Sequence, residues 1–188
     1  MNLPNKITVF RFFCVPALLA CALINFPYHW LATLIVYVIA CLSDKADGVI
    51  ARKRGLVTDF GKLMDPLADK ALVFAAYIVL IDFGWHTDLV IMIMLIREFL
   101  VAGIRMAAAA EGEVIAANGF GKAKTLLQML TTIAAFLFLA LSEFGLEINS
   151  DTAWFNIYCA IAFWIVGIIT MLSGIVYTKD GWHLIKTK

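Results

Sequence analysis

Charged residues are scarce in this sequence. They make up 15% of its 188 residues, whereas a soluble domain usually contains about a quarter. Hydrophobic residues make up 63%, and the mean hydropathy is +0.90, which excludes an ordinary water-soluble domain and indicates a chain surrounded largely by lipid. The net charge of +1 gives no broad positive field, so we expect no nucleic-acid partner.

Cysteine and histidine are too few and too dispersed to predict a disulfide or metal site. The four cysteines lie in apolar stretches without a Cys-x-x-Cys spacing, and we interpret them as small packing residues. No low-complexity linker, separate soluble domain or clear internal repeat is present, so we expect a single membrane domain over residues 1–188. The first apolar stretch lacks a small-residue cleavage site after it, so we expect no secretory signal.

Six apolar segments are each long enough to cross a bilayer as a helix, which takes about 20 residues. The sequence therefore predicts an all-α protein, an integral membrane six-helix bundle. The predicted spans cover residues 7–26, 30–51, 62–81, 89–110, 125–141 and 154–177.

Lysine and arginine are distributed unevenly among the connections between these spans. The connections at 25–29, 82–88 and 141–151 contain none, whereas the connection near 52–62 and both ends of the chain contain several. The positive-inside rule then places both termini in the cytoplasm, and an even number of spans also requires both on one side. We expect a bacterial cell (inner) membrane protein whose functional site faces the cytoplasm.

Four aspartates lie around the second connection. Asp44 and Asp47 are three residues apart and Asp65 and Asp69 are four apart, so each pair shares one face of a helix. An aspartate near mid-membrane costs about 2.5–3.5 kcal/mol, and neighbouring carboxylates also repel one another. Divalent cations between them would lower both costs, and carboxylate oxygens suit Mg²⁺, Mn²⁺ or Ca²⁺. The alternative, solvated carboxylates at helix ends, accounts less well for four aspartates at helical spacing.

Small residues and an arginine accompany the aspartates. Gly48 follows the first aspartate pair and Gly61 precedes the second, and a glycine lets a ligand approach the backbone closely. Ala51 is also small, and Arg52 offers a planar fork of donors suited to phosphate. These residues favour a phosphate-handling site, although small residues also favour helix packing in membranes.

The complete motif reads Asp44-x-x-Asp47-Gly48-x-x-Ala51-Arg52, then eight residues, then Gly61-x-x-x-Asp65-x-x-x-Asp69. It resembles the signature of the CDP-alcohol phosphatidyltransferases, with every signature position present. The resemblance implies a six-helix, homodimeric membrane enzyme that uses CDP-diacylglycerol. It implies that Asp69 is the general base and that two metal ions, Mg²⁺ or Mn²⁺, are held by Asp44, Asp47, Asp65 and Asp69. The residues that it implies for donor binding are Asp44, Gly48, Ala51, Arg52, Gly61 and Asp65.

Segments outside the motif resemble one subgroup of this family, the phosphatidylglycerophosphate synthases. These segments are 2–11, 97–105, 112–117 and 121–125. We assign Thr8 and Arg11 of the first segment to donor binding. The alternative is that the polar residues recurring there at every third position only form an amphipathic segment where the chain enters the membrane.

Cations beyond the aspartate motif predict a phosphate-bearing acceptor, for which we expect sn-glycerol 3-phosphate. Arg97 and Arg105 lie eight residues apart in the fourth predicted span, which places them near one face of a helix, and Lys122 and Lys124 precede the fifth. An arginine within a bilayer is rare and usually faces a polar cavity. Alternatively, Arg97 pairs with Glu98 or with another helix, and the lysines only set the orientation of the chain in the membrane.

Other acceptors and one other class of protein stay open at this point. Inositol phosphate carries the same phosphate, and serine or phosphatidylglycerol would use the same donor chemistry. A small cation transporter would also contain intramembrane aspartates, but such sites usually lie near the midplane within repeated halves. Here the aspartates lie near one predicted rim, and no repeat is evident.

Overall fold

A computed structural model describes residues 3–54, 59–81, 83, 87–110, 119–145 and 153–180. Within these ranges the chain forms helices joined by short turns, without a β-strand, which confirms the predicted all-α class and the count of six helices. The helices are α1 (Leu3–Leu23), α2 (His29–Arg54), α3 (Asp59–Val79), α4 (Thr87–Ala110), α5 (Gly119–Ser142) and α6 (Ala153–Asp180).

Three helices are long and apolar enough to cross a membrane, as judged over the described residues. The stretches concerned are Lys6–Leu23 in α1, Ala123–Ser142 in α5 and Trp154–Lys179 in α6. Their length and composition make the chain an integral membrane protein, as the sequence predicts.

Charged residues interrupt the other three helices. The apolar parts of α2 and α3 are shorter, His29–Ser43 and Lys70–Val79, because the aspartate motif occupies the end of α2 and the start of α3. The charged residues of α4 are spread along its length: Asp88, Arg97, Glu98 and Arg105. The aspartate motif and two of the four cations predicted for the acceptor therefore lie in these three helices.

The chain divides into two compact units, of which the first comprises Met1–Leu80 and Thr132–Phe155. Within it, α1 packs against both α2 and α3. Tyr37 of α2 and Phe136 of α5 are fully buried, and their rings meet edge to face with centroids 5.7 Å apart. Aromatic contacts of this kind stabilise a core beyond the simple burial of area.

A residue that follows α5 holds the start of α2. The Glu143 carboxylate accepts hydrogen bonds from the backbone N–H groups of Trp30 (3.1 Å) and Leu31 (3.3 Å). These N–H groups lie in the first helical turn, where no helical carbonyl is available to them. A carboxylate there also interacts favourably with the positive end of the helix dipole. Just beyond, Gly145 adopts a left-handed backbone with φ of 79° and ends the turn after α5.

The second unit comprises Ile81–Thr131 and Asn156–Lys188. Within it, α4 and α6 run parallel, because successive residues of α4 contact successive residues of α6 in the same order. Gly167 lies against Val90 near the start of α4, and Tyr177 contacts Arg105 near its end. This is the relation expected of two membrane helices separated by one further span.

Candidate functional site

All eight positions of the aspartate motif lie on helices. Five are in the last part of α2 and three are in the first part of α3, so the helical spacing used to predict two shared faces applies to both. The side chains of all eight residues lie outside the described residues. Their metal-binding, donor-binding and catalytic assignments therefore stay predictions: Asp44, Asp47, Gly48, Ala51, Arg52, Gly61, Asp65 and Asp69.

The chemistry of this donor set fits a divalent metal. Four carboxylates on two helices offer only hard oxygen ligands, which Mg²⁺ and Mn²⁺ prefer. Both helices belong to the first unit and both pack against α1. Among the side chains that the structure describes, no three His, Cys, Asp or Glu residues come together as an alternative metal site.

Two polar side chains of α1 are buried in this same unit. Thr8 is 1% exposed and Arg11 is fully buried, although both lie in the first half of a membrane helix. A buried guanidinium requires hydrogen-bond partners or an anion, because its desolvation is costly. The burial argues against a solvated polar face at the membrane surface. The assignment of Thr8 and Arg11 to donor binding stays a prediction.

Three of the four cations predicted for the acceptor lie together in the second unit. We call Arg97, Arg105 and Lys124 the cation cluster. Arg97 Nη1 donates a hydrogen bond to Glu98 Oε1 at 2.9 Å, and Lys124 forms an ion pair with the same carboxylate oxygen. Arg97 and Arg105 also share one aromatic neighbour, since their guanidinium carbons lie 5.7 and 5.2 Å from the Tyr177 ring centroid. The side chain of the fourth cation, Lys122, lies outside the described residues.

Glu98 is shared by two cations of the cluster. The alternative considered above, in which Arg97 pairs with Glu98, is present as a contact. However, one carboxylate serves both Arg97 and Lys124, and Arg105 has no ion pair within the described part of the chain. Among the described side chains, the cluster therefore brings three cations together around one carboxylate. A phosphate monoester carries about 1.5 to 2 negative charges at neutral pH, so a cluster of cations is suited to bind one such group.

Arg97 is 7% exposed, yet it borders a groove between α4 and α6. The groove has a volume of about 710 Å³, and apart from Arg97 and Lys179 its walls are mainly apolar. Two of the five N–H donors of Arg97 are used, because Nη1 binds Glu98 and Nη2 binds Ser173 Oγ at 2.8 Å. Its Nε is buried without a hydrogen-bond partner among the described residues. Arg97 therefore keeps the capacity to bind a further acceptor atom.

The comparisons with known proteins decide the family. A sequence model of CDP-alcohol phosphatidyltransferase matches residues 1–176. The chain belongs to the CDP-alcohol phosphatidyltransferase family. This confirms the resemblance that the aspartate motif predicts.

Relatives within this family agree with the predicted subgroup. The chain is 37% identical to a CDP-diacylglycerol–glycerol-3-phosphate 3-phosphatidyltransferase of Bacillus subtilis (strain 168), over 99% of this chain and 98% of the relative. It is 34% identical to a protein of the same description from Rickettsia bellii, over 95% and 94% of the two chains.

A solved structure supports the fold. The crystal structure of Mycobacterium tuberculosis phosphatidylinositol phosphate synthase in apo form matches with a TM-score of 0.62 and 19% identity. The match covers 96% of this chain and 90% of that one. At this identity the likeness concerns the arrangement of the helices alone.

The sequence did not predict that residues of α6 contact the arginines of the cation cluster. Ser173 and Tyr177 are four residues apart and so share a helix face, which is the one local signal available. That face becomes informative only when α4 is known to lie against it. Gly174, between them, is one of many small residues in membrane helices and gives no distinct signal.

Proposed function

We propose that this chain transfers the phosphatidyl group of CDP-diacylglycerol to sn-glycerol 3-phosphate, which yields phosphatidylglycerophosphate and CMP. An acceptor hydroxyl oxygen forms a bond to the phosphorus attached to diacylglycerol, and the bond from that phosphorus to CMP breaks. The observation that carries this acceptor is the cation cluster, in which Arg97 and Arg105 contact one aromatic ring and Lys124 shares the Glu98 carboxylate with Arg97. The relatives described above are named for the same reaction, which supports the proposal.

The donor half of the reaction belongs to the aspartate motif in this proposal. Phosphoryl transfer depends chiefly on positioning and on neutralising charge. Two bound Mg²⁺ or Mn²⁺ ions would supply charge stabilisation at the pyrophosphate, held by Asp44, Asp47, Asp65 and Asp69. Asp69 accepts the proton of the attacking hydroxyl. Donor binding is assigned to Thr8, Arg11, Asp44, Gly48, Ala51, Arg52, Gly61 and Asp65.

The acceptor half is assigned to cations of the second unit. Arg97 and Arg105 bind the phosphate of glycerol phosphate through charge-assisted hydrogen bonds, with Lys122 and Lys124 adding positive charge. A neutral or zwitterionic acceptor would offer these cations no net negative charge in a site of low dielectric, which is less favourable than binding a phosphate. Inositol phosphate fits the same charges and is the second candidate acceptor.

Product identification tests this proposal most directly. Purified protein would be incubated with CDP-diacylglycerol and Mg²⁺ together with one acceptor at a time: glycerol phosphate, inositol phosphate, serine or phosphatidylglycerol. We expect CMP release and a new lipid only with glycerol phosphate. Turnover with inositol phosphate or serine, and none with glycerol phosphate, would overturn the acceptor while leaving the donor chemistry intact.

Orientation and assembly form part of the same proposal. Both termini and the connection at 52–61 lie in the cytoplasm of a bacterial inner membrane, and the enzyme is a homodimer. The parallel course of α4 and α6 supports a crossing in the opposite direction by α5, which lies between them in the chain. A reporter fused after Lys188 should read as cytoplasmic, and an external reading would contradict the orientation. The mass of the detergent-solubilised protein tests the dimer.

A further inference from the structure

One short stretch of α6 contacts both arginines of the cation cluster. Ser173 Oγ accepts a hydrogen bond from Arg97 Nη2 at 2.8 Å. The Tyr177 hydroxyl accepts one from Arg105 Nη2 at 3.2 Å. Both Ser173 and Tyr177 are buried, so these contacts lie inside the second unit and not on a solvated surface.

Gly174, between these two residues, gives Arg97 the space that it occupies. A Cβ atom added at Gly174 would lie 2.7 Å from Cγ of Arg97 and 3.3 Å from its Nε. Contacts this short are not tolerated between carbon atoms, so any side chain at this position must displace Arg97. The aliphatic part of the Arg97 side chain thus packs directly on the backbone of α6, and its guanidinium lies beside Ser173.

Tyr177 contacts both arginines of the cluster. Its ring lies within cation–π distance of both guanidinium groups, while its hydroxyl binds Arg105. Arginine side chains lose considerable rotamer freedom when they bind a ligand. Contacts that fix them beforehand reduce this cost and so raise the affinity for the ligand. A shared ring can also hold two like charges close together, as binding to a single phosphate requires.

We propose that Ser173, Gly174 and Tyr177 are positioning residues for the acceptor, which hold Arg97 and Arg105 ready to bind its phosphate group. This inference rests on the proposed function and adds α6 to the determinants of acceptor specificity. It requires that changes in this stretch weaken the binding of glycerol phosphate and leave the binding of CDP-diacylglycerol unaltered. A stretch that merely packs α6 against α4 would affect stability alone.

A pair of matched glycine substitutions separates these two roles. Gly174→Ala places a methyl group against Arg97, whereas Gly167→Ala places one against Val90 Cγ1, at 2.6 Å in the same helix pair. Both variants crowd α4 to a similar degree, so both should lower the thermal unfolding midpoint. The Kd for sn-glycerol 3-phosphate would be measured by titration calorimetry on the full detergent-solubilised chain, and the KM for each substrate by CMP release.

The expected result distinguishes the two glycines sharply. Gly174→Ala should raise the Kd and KM for glycerol phosphate about tenfold, comparable to losing one hydrogen bond to a charged group, without changing the KM for CDP-diacylglycerol. Gly167→Ala should leave all of these constants unchanged. Equal effects of the two substitutions on glycerol phosphate, or no effect of either, would overturn the inference.

Tyr177 provides a second test if Gly174→Ala does not fold. Tyr177→Phe retains the ring and loses the hydroxyl, so it should raise the KM for glycerol phosphate a few-fold, whereas Tyr177→Leu should raise it further. Unchanged constants in both variants would contradict the positioning role. If the unaltered protein neither binds nor uses glycerol phosphate, the proposed acceptor fails together with the inference. If it does both, and the variants match it, only the inference fails.

Discussion

Glu143 in the first unit and Glu98 in the second have similar exposure, 14% and 15% of the side chain, but different kinds of partner. Glu143 accepts hydrogen bonds from two backbone N–H groups at the start of α2, and His29 Nε2 lies 3.7 Å from its Oε1. Glu98 binds two cationic side chains, Arg97 and Lys124. The first carboxylate therefore stabilises a helix end, whereas the second neutralises positive charge within the cation cluster.

The same contrast extends to the two units. In the first, the eight residues of the aspartate motif lie in two neighbouring stretches of the chain, at the end of α2 and the start of α3. In the second, the cation cluster depends on contacts between residues 72 and 76 positions apart, such as Arg105 with Tyr177 and Arg97 with Ser173. The first unit should therefore control whether any reaction occurs, and the second which acceptor is used.

Removing a predicted metal ligand should have the largest effect. Asp65→Ala, like Asp44→Ala or Asp47→Ala, should abolish CMP release with every acceptor, because each substitution removes one of the four carboxylates predicted to bind the metal ions. A chelator should do the same to the unaltered protein, and Mg²⁺ or Mn²⁺ should restore activity. Asp88→Ala is the matched control, since Asp88 is exposed at the start of α4 outside the motif. Full activity in any motif variant would contradict its assignment as a ligand.

Asp69→Asn should reduce turnover by roughly 10²- to 10⁴-fold, the usual contribution of a general base. Because the amide is similar in size and still offers an oxygen, binding of CDP-diacylglycerol should largely persist. Donor affinity measured by calorimetry alongside the rate of CMP release separates the two effects. If donor binding is lost as well, Asp69 acts mainly as a metal ligand.

The local sequence is enough to predict which residues of the first unit form helices. Apolar residues recur over the right lengths, and aspartates three and four apart require a helix in order to share a face. The end of α2 shows the limit of this reasoning. The predicted span stops at Ala51, where the apolar pattern ends, whereas the helix continues to Arg54. Charged residues with good helix propensity follow Ala51, and the first glycine comes only after Arg54.

The arrangement of the second unit could be predicted only in part. The spacing of Arg97 and Arg105 predicted that they share a helix face, and both do contact Tyr177. That α6 supplies this ring and the space at Gly174 depends on which helix packs against α4, and the spacing of residues along α4 contains no such information. Nor does local sequence indicate that Glu143 binds the start of α2, more than 110 residues earlier in the chain.

Removing an acceptor cation should have a smaller and more selective effect. Arg105→Ala should raise the KM for glycerol phosphate about tenfold or more, the loss expected for a charge-assisted hydrogen bond, with the KM for CDP-diacylglycerol unchanged. Arg105→Lys should recover part of the affinity, because it keeps the charge and loses the fork of donors. Lys6→Ala, which removes an exposed cation from α1, serves as the control. Parallel increases in both KM values would argue against a separate acceptor role.

The smallest effects test the two glutamates against each other. Glu98→Gln removes the carboxylate charge that compensates Arg97 and Lys124, so the cluster becomes more positive. We expect a few-fold lower KM for glycerol phosphate at low salt, together with reduced stability, because buried cations then lack their partner. The KM difference should shrink as salt is raised, since added ions screen the extra charge.

Glu143→Gln is expected to behave differently, although the substitution is chemically the same. Its amide oxygen can still accept a hydrogen bond from Trp30 or Leu31, but the charge at the start of α2 is lost. The stability should fall by about 0.5–1 kcal/mol, the usual value of a charge at a helix end, and the KM for glycerol phosphate should not change. Thermal unfolding and KM measurements on both variants at two salt concentrations decide the matter. If Glu143→Gln alters the KM as much as Glu98→Gln does, acceptor recognition is not confined to the second unit, and the contrast between the two carboxylates does not hold.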